Sequence, residues 1–292
     1  MENEFLKKLE EDFYVEFDQD DQYVLDEKGR VTELYLWGHN KTYGVSHDPQ
    51  YVSDISILLP LCSHLKVLHI NNWTVEDMSP LKHFSQLKEL SLSGNNRIKN
   101  ISGIEDLVAL EYLDLSYNRI ENIIGLEKLT KLKMLNLSAN GIGSKGYIKK
   151  IEGLSSLLNL EGLYLQNNRI TTIENINHLT KLKRLQVHQN EINDLENIDS
   201  LTDLTRLTIG NNLSKFPDLN NHLQLEELGI IGDFNEMGNL NSHPHLHTLN
   251  VRAESEFEHQ DQLLNIESLK NIMVNGKTIK GNISQTFWTS DK

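Results

Sequence analysis

Four groups of side chains carry residue types and spacings capable of chemistry. Gly141, Gly143 and Gly146 follow an alternating apolar stretch with the spacing G-x-G-x-x-G. That pattern cradles a pyrophosphate when it opens a long helix in a βαβ unit that also supplies an acidic ribose ligand. Here the glycines fall in an insertion, with Lys145, Lys149 and Lys150 reading as solvated loop charge, so a nucleotide is not expected. His243, His245 and His247 alternate at period two and offer imidazoles to a metal, but spacing places no further ligand beside them. Glu254, Glu256, Glu258 and Asp261 would attract calcium, yet they lack the glycine turn and ligand order of a calcium loop. Cys62 sits in an apolar Pro-Leu-Cys segment with no assignable base, which suits a packed thiol better than a nucleophile. No Ser/His/Asp set is brought together. The expectation is a chain with no cofactor, no metal and no catalysis of its own.

The elements that must hold these groups repeat. Leu110 to Lys131 reads L-x-x-L-x-L-x-x-N-x-I-x-x-I-x-x-L-x-x-L, and the next copy begins at Leu132, a period of 22 residues. Tyr112-Leu113-Asp114-Leu115 alternates apolar and polar, the signature of a short strand with one buried face. Asn118 follows, and its amide both donates and accepts, so it can satisfy backbone groups freed at a tight turn. Ile120, Ile123, Leu126 and Leu129 then recur every third residue, which fits 3-10 geometry better than an α-helix. One such unit cannot bury its apolar face alone, whereas stacked copies build a continuous core.

Copies start at Val31, Leu65, Leu87, Leu110, Leu132, Leu160, Leu182, Leu204, Leu225, Leu246 and Leu269. Their intervals are 21–23 residues except for 34 after Val31 and 28 after Leu132, which places loops at 41–51 and 143–150. The asparagine position holds Asn95, Asn118, Asn140, Asn168, Asn190 and Asn212; His39 and Trp73 precede it, and Asp233, Glu254 and Lys277 follow. The domains expected are an acidic N-terminal cap (1–30), a solenoid of about eleven repeats (31–282) and a short tail (283–292). In the cap, Phe5, Leu6, Leu9 and Phe13 share a helix face, and Tyr14–Phe17 and Tyr23–Leu25 read as strands before a turn at Lys28-Gly29. At the other end Asn275-Gly276 reads as a turn, with Phe287 and Trp288 folding back over the core.

The formal charge is −14, half of it from the first thirty residues, where eleven acids face four bases. This disfavours nucleic acid or an anionic membrane surface as the partner. A single cysteine allows no intrachain disulfide, and the charged N-terminus lacks the apolar region of a signal peptide. A cytoplasmic monomer is the expectation.

These repeats resemble the 22-residue class of the leucine-rich-repeat superfamily, as found in bacterial internalins and in the leucine-rich regulatory subunit of type 1 protein phosphatase. The resemblance spans Val31 to Ile279. It implies an α/β solenoid curved into a right-handed arc, with a parallel concave β-sheet and a convex side of 3-10 or short helical segments. It also implies a non-enzymatic protein–protein interaction scaffold whose concave face holds a protein partner. An internalin-like adhesin and an enzyme regulator, such as a phosphatase subunit, stay open beside it.

The third, fifth and seventh residues of each repeat flank the buried leucines and point to the concave face. Tyr35, Trp37, His69, Tyr112, Asp114, Met134, Tyr164, Arg184, His188 and Arg206 are therefore the candidate partner-binding residues. Tyr35, Trp37, Tyr112 and Tyr164 would serve as rigid aromatic anchors. The face passes from acidic and aromatic near the N-terminus to basic at Arg184 and Arg206, which calls for a partner of opposite polarity.

Overall fold

Leucines two residues apart cannot both be buried unless the chain between them is extended, and the asparagine three residues on stops that extension. Each repeat therefore contributes one short strand, and successive strands stack. The computed structural model describes residues 2–13, 22–37, 54–95, 97–141, 147–213, 215–234, 236, 238–253 and 260–281. The expectations for Tyr14–Phe17, the loop at 41–51, Gly143 and Gly146, Glu254 to Glu258, and Phe287 with Trp288 lie outside the described residues.

One sheet of thirteen strands runs the length of the chain in sequence order. Its elements are β1 (Tyr23–Leu25), β2 (Val31–Trp37), β3 (Val67–Asn71), β4 (Glu89–Ser91), β5 (Tyr112–Asp114), β6 (Met134–Asn136) and β7 (Gly162–Tyr164). They continue as β8 (Arg184–Gln186), β9 (Arg206–Leu213), β10 (Glu227–Gly232), β11 (Thr248–Arg252), β12 (Asn271–Val274) and β13 (Lys277–Lys280). Strands β2 to β12 pair in parallel, each with the next. The two ends turn back. At the start β1 pairs antiparallel with β2, and at the finish β13 pairs antiparallel with β12 across Asn275-Gly276, both with positive φ. A helix, α1 (Glu2–Phe13), adds Leu6 and Leu9 to the apolar core at the N-terminal end.

The convex side is built from turns spaced by three. Leu107 donates its N–H to Ile104 and Leu110 to Leu107; in the next repeat Leu129 donates to Leu126 and Leu132 to Leu129, all at 2.9–3.0 Å. Two segments lengthen into 3-10 helices, Ile55–Leu61 and Ser79–His83. The arc thus has a strand on its inner edge and a single 3-10 turn on its outer edge, the leucine-rich-repeat solenoid. Among the described residues no helix is long and apolar enough to cross a membrane.

Asparagine amides stitch the repeats together. Asn95, Asn118, Asn140, Asn168 and Asn190 each donate to a carbonyl of the preceding repeat and to the carbonyl three residues back in their own. The residue before this ladder is left-handed. Asn72, Gly94, Tyr117, Ala139, Asn167 and Gln189 all have φ between 52° and 74° at the eighth repeat position. A second stitch runs along the convex side. Gly125, at φ 102°, lies so close to the preceding repeat that a Cβ would stand 2.9 Å from the Ile101 carbonyl oxygen. At the same position of later repeats Asn175 and Asn197 donate side-chain N–H to the equivalent carbonyls of Ile151 and Ile173, at 2.8 and 2.9 Å.

Candidate functional site

Strict parallel register lines up the concave side chains in rows about 4.8 Å per strand. In one row Glu33, Val67, Glu89, Tyr112, Met134, Gly162, Arg184, Arg206 and Glu227 follow one another across β2 to β10. In the next row lie Tyr35, His69, Ser91, Asp114, Asn136, Tyr164, Gln186 and Thr208. The candidates from β2 to β9 therefore share one surface, although they are spread over more than 170 residues of sequence.

At the N-terminal end the surface is aromatic and acidic. The Tyr35 ring meets His69 edge-on with centroids 4.9 Å apart, and His69 lies nearly parallel to Tyr112 at 6.4 Å. The Tyr35 hydroxyl donates to Glu33 at 2.8 Å. Lost hydration pushes the Tyr35 hydroxyl up to about 12, helped by this carboxylate. Burial holds His69 below its ordinary value, against an opposing pull from Glu33, so it stays neutral. Glu89 is raised by partial dehydration and then by the negative charges of Glu33 and Glu111. Trp37, at the end of β2, is 49% exposed.

Asp114 anchors a polar network at the centre. It accepts the Ser116 N–H at 2.8 Å and the Asn136 amide at 3.1 Å, while burial raises its pKa against these bonds. Asn136 accepts in turn from the Ser138 hydroxyl at 2.7 Å.

Further along, the surface closes over. Gly162 leaves a notch in its row, and the Met134 thioether and the Tyr164 ring fill it: a Cβ at Gly162 would come within 2.6 Å of Met134 Cε and 3.2 Å of Tyr164. Tyr164 is consequently only 2% exposed, as is His188. Neither is a free anchor, contrary to the expectation from strand alternation alone. Arg184 remains exposed. Arg206 does not stand as free positive charge, because its guanidinium closes on Glu227 with Nε 2.6 Å from the carboxylate.

Sequence reasoning passed over Glu33, Glu89 and Glu227 as site residues. The signal was present: all three occupy the third repeat position, the same one as Tyr112 and Arg184.

Two of the histidines singled out for metal chemistry, His243 and His247, make other contacts. His243 is buried, with Nε2 2.9 Å from the Leu219 carbonyl oxygen, and His247 meets the Thr248 hydroxyl. His178 and His222 make the same contact to Leu154 and Ile198, so these imidazoles belong to the convex stitching. Among the described residues no group of histidine, cysteine or carboxylate side chains could hold a metal ion. Cys62 is part-buried and packs against the core.

Residues 63–106, 85–128, 108–156 and 158–200 each match the family model described as "Leucine Rich repeats (2 copies)". The matched residues are leucine-rich repeats, and the solenoid they build has the leucine-rich-repeat fold. Among solved structures it is similar to an internalin of Listeria monocytogenes, InlF, with 24% identity and TM-score 0.58 over 75% of this chain and 70% of that one. A leucine-rich-repeat protein of Leptospira interrogans is similar at 20% identity and TM-score 0.59, over 74% of this chain and 62% of that one. The functional domain of InlJ from Listeria monocytogenes, described as including a cysteine ladder, is similar at 21% identity and TM-score 0.52, over 79% and 58%. This chain stacks its repeats on asparagine and has one cysteine. No curated protein matches the sequence.

Proposed function

We propose that this chain is a non-enzymatic protein-interaction scaffold that binds a protein partner on its concave face, between Tyr35 and Arg184. One observation carries the reading. The strands satisfy one another's backbone in strict register, so the outward side chains of the rows are not needed to close the sheet. They nonetheless hold Tyr35, His69, Tyr112 and Arg184, the aromatic and arginine types that anchor interfaces. The chain's strong negative charge argues against nucleic acid as that partner.

A single, part-buried cysteine favours a reducing compartment, hence a cytoplasmic location. The likeness to internalins supports a second reading, a surface adhesin, and cell fractionation of the native host separates the two. Affinity capture from that host tests the main proposal, with the parent chain and a Tyr112→Ala/Arg184→Glu variant as paired baits. A partner retained by the parent and lost by the variant is the expected result. Equal retention by both would place the interface elsewhere.

A further inference from the structure

We infer that the N-terminal end of the concave face is a receptor for an arginine side chain of the protein partner, held between the carboxylates of Glu33 and Glu89 over the rings of Tyr35, His69 and Tyr112. The inference rests on the reading that this face binds a protein.

Glu33 and Glu89 lie in one row, separated by the β3 strand that carries Val67, so their backbones are roughly 10 Å apart. A guanidinium between them can meet both carboxylates, and its planar fork suits that geometry. Elsewhere the chain neutralises its aligned acids itself. Glu111 pairs with Lys133, Glu161 with Lys183 and Asp106 with Lys128, and on this same face Glu227 takes Arg206. Among the described residues no cation pairs with Glu33, Glu89 or Asp114. Among the described residues nothing cationic offsets the field of this patch.

Rings form the floor. Tyr35, His69 and Tyr112 contact in sequence, and aromatic faces attract cations through their quadrupoles. His69 is held neutral by burial, so it adds a ring without repelling the incoming charge. A stacked guanidinium gains more from this floor than a hydrated ammonium does, which selects arginine over lysine. Trp37, half exposed at the edge, offers apolar cover for the aliphatic stem.

The test uses the full chain and a fluorescein-labelled peptide of alternating glycine and arginine. Matched peptides replace arginine by lysine or by citrulline, which keeps the shape and removes the charge. Anisotropy should show the arginine peptide binding, the lysine peptide binding more weakly and the citrulline peptide not binding. Glu33→Gln with Glu89→Gln should weaken arginine binding at least about tenfold, and Tyr112→Leu should narrow the gap between arginine and lysine. A control pair, Glu121→Gln with Glu196→Gln, removes the same charge from exposed positions outside the concave rows and should leave binding nearly unchanged. Equal weakening by both pairs would reduce the effect to the general field of an acidic chain and overturn the site. Equal binding of the lysine and arginine peptides would overturn the choice of arginine. If the peptides fail while Arg184→Glu still abolishes capture of the native partner, the receptor falls and the concave-face reading stands.

Discussion

The amide oxygen of Asn140 accepts the backbone N–H of Ile120 from the preceding repeat at 3.0 Å, while its amide nitrogen donates to the carbonyls of Leu115 and Leu137. One fully buried side chain thus closes three backbone groups from two repeats. Asn140→Ala orphans the Ile120 N–H and takes one of two donors from each carbonyl, Leu115 keeping Asn118 and Leu137 keeping Asn168; a buried unpaired group costs about 1–3 kcal/mol. Asn140→Asp should be nearly as damaging, because a carboxylate cannot donate to the two carbonyls. Reversible denaturation measures both. A variant that unfolds like the parent would mean the ladder is decorative.

Leu115, just past the end of β5, is fully buried in the apolar core. Leu115→Ala removes that packing and leaves a cavity that the rigid stack fills poorly. Its expected cost is about 2–5 kcal/mol. Because each repeat touches only its neighbours, hydrogen exchange should accelerate first around 90–140 and later at the ends.

Gln189 is exposed and left-handed at φ 53°. A non-glycine residue in that region costs roughly 1–2 kcal/mol, partly offset by the extra freedom glycine brings to the unfolded chain. Gln189→Gly should therefore stabilise the chain by about 0.5–1 kcal/mol. A lower unfolding midpoint would show that the side chain makes a contact worth more than the strain.

The solenoid was legible because leucine and asparagine recur at fixed positions whatever else changes: the period of 22 around Leu110, the three-residue spacing after Asn118 and the hairpin at Asn275-Gly276 all follow from residue type. The left-handed turn was not. Asn72, Gly94, Tyr117, Ala139, Asn167 and Gln189 share it, but only Asn72, Gly94 and Asn167 are of types that favour it. At Tyr117, Ala139 and Gln189 the stack imposes that conformation, so the local mark is incomplete. The concave face was half legible for a related reason. Register and alternation place Tyr35, Tyr112 and Arg184 on one surface. Exposure within that surface depends on neighbours in the same or the next strand: the missing side chain of Gly162 lets Tyr164 lie down, and Glu227 draws in Arg206.

Glu89 carries its charge at a cost to the fold, being raised by dehydration and by Glu33 and Glu111. A carboxyl raised above its unfolded value of about 4.3 opposes folding wherever it is ionised. Glu89→Gln should thus raise the unfolding midpoint at neutral pH. The advantage should shrink as pH falls through the raised folded value, and vanish below the unfolded one, where both side chains are neutral. The same substitution should weaken arginine-peptide binding, so stability and binding move in opposite directions. Parallel pH titrations of the parent and the variant read this directly; a variant less stable at neutral pH would contradict the assigned cause.

Tyr112 and Tyr164 sit two strands apart on the same sheet, yet their substitutions should be read out by different experiments. Tyr112 is part-exposed and contacts His69; Tyr164 is packed into the Gly162 notch against Met134. Tyr164→Ala should open a cavity and cost roughly 3 kcal/mol of stability, like other buried aromatic truncations. Tyr112→Ala should leave the unfolding midpoint near that of the parent and weaken a captured partner at least about tenfold, roughly 1.4 kcal/mol. Deleting Gly143 to Gly146 serves as the third arm, because it removes residues of the insertion while sparing the fully buried Ile148 and both rows. Were that deletion alone to release the partner, the insertion would be the contact surface and the concave-face proposal would fail. Loss with Tyr112→Ala, against an unchanged midpoint, assigns the rings of the N-terminal rows to the partner and the rings of the middle rows to the scaffold.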